Sequence, residues 1–102
     1  MINDKIFVGT ELKFKVEIEA EGFSMADNDF NVVIQKRNLK KTFNKADMVT
    51  DGEGNYYVCF DTAEFGVGTI SAIVTAYVPD TDFPDLLRTE VYAMDLVNVN
   101  KV

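Results

Sequence analysis

The chain has 102 residues, 47% hydrophobic and 26% charged, which is enough apolar material for one folded domain and unlike a disordered composition. A net charge of −7 disfavours DNA, RNA and anionic membrane surfaces as partners. Histidine is absent and Cys59 is the single cysteine, which removes Ser-His-Asp and Cys-His catalysis, histidine-bound zinc and an internal disulfide.

The N-terminal MINDKIFVGT has no apolar core of signal-peptide length, and no apolar run reaches the ~18 residues of a membrane helix. The expectation is a protein of the cytoplasm, or of a particle assembled there, without a membrane partner.

In chain order, KIFV (5–8) reads as a short first strand ended by Gly9. The next segment, ELKFKVEIEAEGF, sets Leu12, Phe14, Val16, Ile18 and Ala20 against an unbroken series of lysines and glutamates. Successive strand side chains point to opposite faces, so this is one buried face and one wet face. GFSMADND supplies turn residues, and FNVVIQKR (30–37) follows with Phe30, Val32 and Ile34 on one face. RNLKK predicts a hairpin into a strand near Lys41–Asn44, with a helical turn over KADM (45–48) as the alternative. DGEGN breaks the chain before YYVCFD (56–61), and TAEFGVG connects to TISAIVTAYV (69–78). There Ile70, Ala72, Val74, Ala76 and Val78 share a face, small residues alternating as a closely approaching second sheet requires. PDTDFPD is a polar loop, and LRTEVYAMDLVNV (87–99) is long enough to need a bulge near Ala93–Asp95.

Three readings compete for DGEGNYYVCF. Tyr57 two residues before Cys59 resembles the tyrosine corner of immunoglobulin domains, without the partner cysteine or a tryptophan behind it. Asp51, Glu53 and Asn55 alternate like the start of a calcium loop, but Tyr56 stands where that loop needs glycine. The third reading is structural: Gly52 and Gly54 make a tight turn, Tyr56, Val58 and Phe60 face one way, and Cys59 is a small buried hydrophobe. The structural reading is preferred.

Asp80, Asp82 and Asp85, with Asp27 and Asp29 elsewhere, are weak candidates for a calcium site or an acid pair, against the ordinary preference of Asp and Pro for turns. KRNLKKTFNK holds Lys36, Arg37, Lys40, Lys41 and Lys45, half of the ten basic residues, so an otherwise acidic chain is a dipole suited to head-to-tail docking or a phosphate-binding patch, against the plainer and preferred reading of a solvated hairpin. Arg88 and Glu90 alternate beside Tyr92, a placement that fits an interface and equally a wet sheet face. Lys36, Arg37, Lys40, Lys41 and Arg88 are the interaction candidates.

The run GTELKFKVEIEAEGF, FNVVIQKR, DGEGNYYVCFDTAEFGVGTISAIVTAYVPDTDFPD and RTEV resembles small immunoglobulin-like β-sandwich proteins of phage and prophage regions in gut Bacteroidales. It is similar as well to the N-terminal modules of phage baseplate and tail-fibre proteins. The resemblance implies a role in a virion or tail assembly and carries over no catalytic or ligand residue.

The expectation is therefore an all-β, seven-stranded antiparallel immunoglobulin-like sandwich formed by residues 1–102 as one domain. It would be a non-enzymatic structural or protein-interaction module without cofactor, self-associating or part of a larger assembly. The alternative is an exported carbohydrate- or surface-binding module, whose mark would be Tyr77 and Tyr92 aligned on one flat face.

Overall fold

Period-two alternation settles the layers. In the computed structural model, which describes residues 5–102, eight strands and two single 3-10 turns follow one another. The strands are β1 (Ile6–Phe7), β2 (Glu11–Val16), β3 (Phe30–Lys36), β4 (Leu39–Asn44), β5 (Val49–Thr50), β6 (Tyr56–Asp61), β7 (Gly68–Pro79) and β8 (Leu87–Asn100). They form a five-stranded sheet in the order β1-β8-β7-β3-β4 and a three-stranded sheet in the order β2-β6-β5. Residues 1–4 of the N-terminal stretch read for a signal segment lie outside those described.

Two expectations are corrected. The strands number eight among the described residues, because Val49–Thr50 pairs with Thr50↔Tyr56 and Val49↔Tyr57 in a stretch too short to show alternation. The five-stranded sheet is mixed, since β1 runs parallel to β8 with Ile6 opposite Val99 and Phe7 opposite Asn100. The helical alternative over KADM holds in part, as a 3-10 turn at Lys45–Asp47 in which the Asn44 N–H donates to the Asp47 carboxylate at 3.0 Å.

The core lies between the sheets. Ile70, Ala72, Val74, Ala76 and Val78 of β7 are all buried, as are Phe30, Val32 and Ile34 of β3 and Val58 and Phe60 of β6. Three rings meet edge-on where Phe30 touches Phe23 and Tyr56, with centroids 6.1 and 5.3 Å apart. Thr62, the buried polar residue among those described, is satisfied because its Oγ1 accepts from Gly9 N at 3.0 Å. This bond ties the turn before β2 to the end of β6.

The alternation of ELKFKVEIEAEGF continues to Ala20 in burial, with Ile18 9% exposed, but the ladder ends at Val16. The reason is the partner: Tyr56, opposite Val16, is the first residue of β6. Burial alternates wherever a core lies beneath, whether or not a neighbouring strand is present to bond.

β7 and β8 form the longest hairpin, paired from Gly68↔Val99 to Pro79↔Leu87, and its register slips between Ile70 and Ser71. The extra residue is Leu96, just beyond the Ala93–Asp95 segment expected to bulge.

Candidate interaction surfaces

Beyond Ala76, which pairs with Phe30 of β3, β7 continues through Tyr77 to Pro79, and the 80–86 loop closes the hairpin there. The loop is braced internally: Asp80 accepts from Asp82 N at 2.9 Å, and Asp80 N donates to Leu86 O at 2.9 Å. Arg88, the second residue of β8, donates to Asp80 from one guanidinium nitrogen and to Glu90 Oε2 from two others, at 3.0 and 2.6 Å. Tyr92 donates its hydroxyl to the other Glu90 oxygen. Alternate spacing along β8 makes the Arg88–Glu90–Tyr92 row; closure of the hairpin adds Asp80. The Asp82 N–H, with Arg88 in second place, holds the Asp80 carboxyl below its ordinary range, and Glu90 then Asp80 push the Arg88 guanidinium up.

Of the three loop carboxylates, Asp80 is thus committed to Arg88 and the backbone, while Asp82 and Asp85 are exposed. Among the described residues no group of three Asp, Glu, Cys or His side chains converges as a metal site requires. Asp27 and Asp29 serve the adjoining turn, Asp29 Oδ1 accepting from Phe30 N at 3.0 Å and Asp27 N donating to Ser24 Oγ at 3.3 Å.

At the other end of the same sheet is the β3–β4 hairpin, whose two-residue turn is Arg37–Asn38, with Arg37 at φ 54°. Gln35 lies opposite Ser71, near the start of β7, so Lys36, Arg37 and Lys40 sit a full β7 length from the acidic loop. Twelve residues of strand span roughly 40 Å, most of the molecule's 50 Å long axis. The five basic residues do not act as one patch. Lys41 binds Glu64 at 3.1 Å. Lys45 turns inward, donating to Ala26 O at 3.0 Å and Asn28 O at 2.9 Å while lying 5.4 and 5.3 Å from the Phe30 and Tyr56 ring centres.

The turn of DGEGNYYVCF holds itself together. Asp51 accepts from Glu53 N at 2.8 Å and from the Asn55 amide at 2.7 Å, and Asn55 above all lowers its carboxyl pKa. This is the structural reading, with one correction: Cys59 is exposed. It lies on the outward face of the three-stranded sheet, opposite Lys13, where no second layer covers it. Tyr57 shares that face, its ring beneath Lys13 Nζ at 4.5 Å, and belongs to the strand between β2 and β5.

Tyr77 and Tyr92 do not form a platform. Tyr92 pairs with the buried Val74 and so points to the inner side of the sheet, whereas Tyr77 alternates with buried Ala76 and Val78 and points outward.

A surface that the sequence did not reveal runs between β2 and β8. β2 is the edge of the three-stranded sheet, and among the described residues β8 is covered by β1 at Val99 and Asn100 alone. The smaller sheet stops short of β8, so Met94 and Tyr92, on its inner face, are 47% and 37% exposed. The gap forms two hollows in line. The first, about 170 Å³, has a floor of Val32, Ile34, Val58, Ala72 and Val74 between Phe14–Glu17 and Met94–Leu96. The second, about 190 Å³, is bordered by Glu17, Ile18, Glu19, Val74, Tyr92 and Met94.

No helix among the described residues is long and apolar enough to cross a membrane. No protein-family model and no curated protein matches the chain. A solved structure from Bacteroides vulgatus ATCC 8482, provisionally named a glycoside hydrolase, is similar over 98% of this chain and 17% of its own length, with a TM-score of 0.49 and 16% identity.

Proposed function

We propose that this chain is a non-enzymatic protein-interaction module of a larger assembly, of the kind found in phage tails and baseplates, acting in the cytoplasm or in a particle assembled there. The observation that carries the reading is the separation of charge along the five-stranded sheet. Lys36, Arg37 and Lys40 crown one end, and Asp82 and Asp85, beside Asp80, crown the other. A body polarised this way favours end-to-end contact between copies or with a neighbour of matching charge, and disfavours side-by-side clustering. The strand order supports an immunoglobulin-like arrangement, because β2-β6-β5 corresponds to B-E-D and β8-β7-β3-β4 to G-F-C-C′.

Multi-angle light scattering at low and high salt tests the reading. The expected result is a mass above the monomer at low ionic strength that falls as salt screens the contact. Reversing the tip with Lys36→Glu, Arg37→Glu and Lys40→Glu together should abolish it. A monomer at every protein and salt concentration contradicts end-to-end self-association.

A further inference from the structure

The seam between β2 and β8 points to a strand-acceptor site, and we propose that it takes an extended segment of a partner protein, apolar at alternate positions and basic at those between. The inference deepens the interaction-module reading and rests on it.

Three observations converge. First, the edge of β8 from Leu87 to Leu96 carries no neighbouring strand among the described residues, yet the same edge accepts β1 at Val99 and Asn100. An added strand continues the line of β1, and its backbone bonds to β8 groups that have no strand partner among the described residues. Second, the hollows have the spacing of a strand. They share Met94 and step along β8 from Leu96 to Tyr92, so their centres are displaced by about two residues, roughly 7 Å, the distance between successive side chains on one strand face. Side chains i and i+2 of the guest fill them in turn. Third, the rim is net acidic. Glu17 and Glu19 border the second hollow, and among the described residues Lys15 offsets the first of them, at 3.0 Å, while Glu19 has no counter-ion; Glu90, on the inner side beside Tyr92, is held by Arg88. A guest with lysine or arginine at its outward positions complements this rim, while an acidic guest is repelled.

The first hollow is floored by core residues that are themselves well packed, Val32 at 2% and Ile34 at 1% exposed. The site therefore takes single side chains and not a further layer.

The test uses the whole chain with a short synthetic peptide of alternating valine and lysine, and its valine–glutamate counterpart as control. Amide exchange by NMR should show new protection between Arg88 and Leu96 with the lysine peptide and none with the glutamate peptide. Met94→Glu places a charge between the two hollows at an exposed position, so it should leave the melting temperature unchanged and weaken peptide binding at least tenfold. Lys40→Glu, on β4 at the opposite edge of the sheet, should change binding less than twofold. Protection absent from β8, or binding indifferent to Met94→Glu, overturns the proposal. If salt-sensitive self-association persists in that case, the interaction-module reading stands and the strand site alone falls. A dimer that Met94→Glu abolishes, with no peptide bound, overturns the partner-strand proposal by placing a second copy in the seam.

Discussion

Val74 and Tyr92 face each other across the β7–β8 ladder on one side of the same sheet, yet Val74 is 7% exposed and Tyr92 37%. One step between strands crosses from core to open seam, because the three-stranded sheet covers β7 and ends before β8. The pair predicts unequal effects. Val74→Ala removes two buried methyl groups' worth of packing and should destabilise by about 1–3 kcal/mol, whereas Tyr92→Ala should stay within about 1 kcal/mol. Urea denaturation of the two variants measures both.

Lys45 is a clamp and not part of the basic tip. Its ammonium joins the 3-10 turn to two carbonyls of the 24–29 turn and covers two core rings. Lys45→Ala leaves those carbonyls without their cation and should cost about 1–3 kcal/mol. Lys40→Ala, at the hairpin, should change stability by less than about 0.5 kcal/mol. Equal losses in the two variants would contradict the division between clamp and tip.

Acid should loosen the β7–β8 loop. The folded-state pKa of Asp80 is depressed, first by the Asp82 N–H and then by Arg88. Its contribution is complete above the ordinary value of 3.8 and is lost as pH falls below that toward the depressed value. Asp80→Asn should therefore be less stable than the parent near neutrality, and the difference should shrink as pH falls below the ordinary value of 3.8. A stability gap that widens on acidification has the wrong sign for this account.

Gly68 opens β7 at φ 125°, a region that side chains rarely adopt, and a Cβ there would stand 2.8 Å from Lys36 Cε. The lysine end can move; the dihedral cannot. Gly68→Ala should destabilise by about 1–3 kcal/mol, and adding Lys36→Ala should not restore the loss. Restoration would assign the effect to the contact and not to the backbone.

Alternation makes most of this fold legible in the amino-acid sequence. It gave the buried faces of β2, β3 and β7 residue by residue, because a two-sided strand over a core must alternate whatever its neighbours are. Pairing was less visible. Nothing in KIFV distinguishes a parallel from an antiparallel neighbour, and Val49–Thr50 is too short to carry a period. On β8 the pattern misleads: Val91 faces outward at 61% exposure, but Met94 on the inner side is also 47% exposed, since an inner face is buried only where another layer reaches it. The same reason hid the seam and exposed Cys59. The Arg88–Glu90 row followed from their spacing, whereas Asp80 joins it through hairpin closure, which no local pattern encodes.

The claim on which the account most depends is that β8 keeps an open edge toward β2 in the free protein. Residue-resolved amide exchange on the isolated chain measures this directly. The account predicts slow exchange throughout Ile70–Val78 of β7, and along Leu87–Asp95 of β8 an alternation of slow amides bonded to β7 with fast amides facing water. Uniform protection along β8 would contradict it, since every amide of that strand would then have a partner and no edge would remain to receive one.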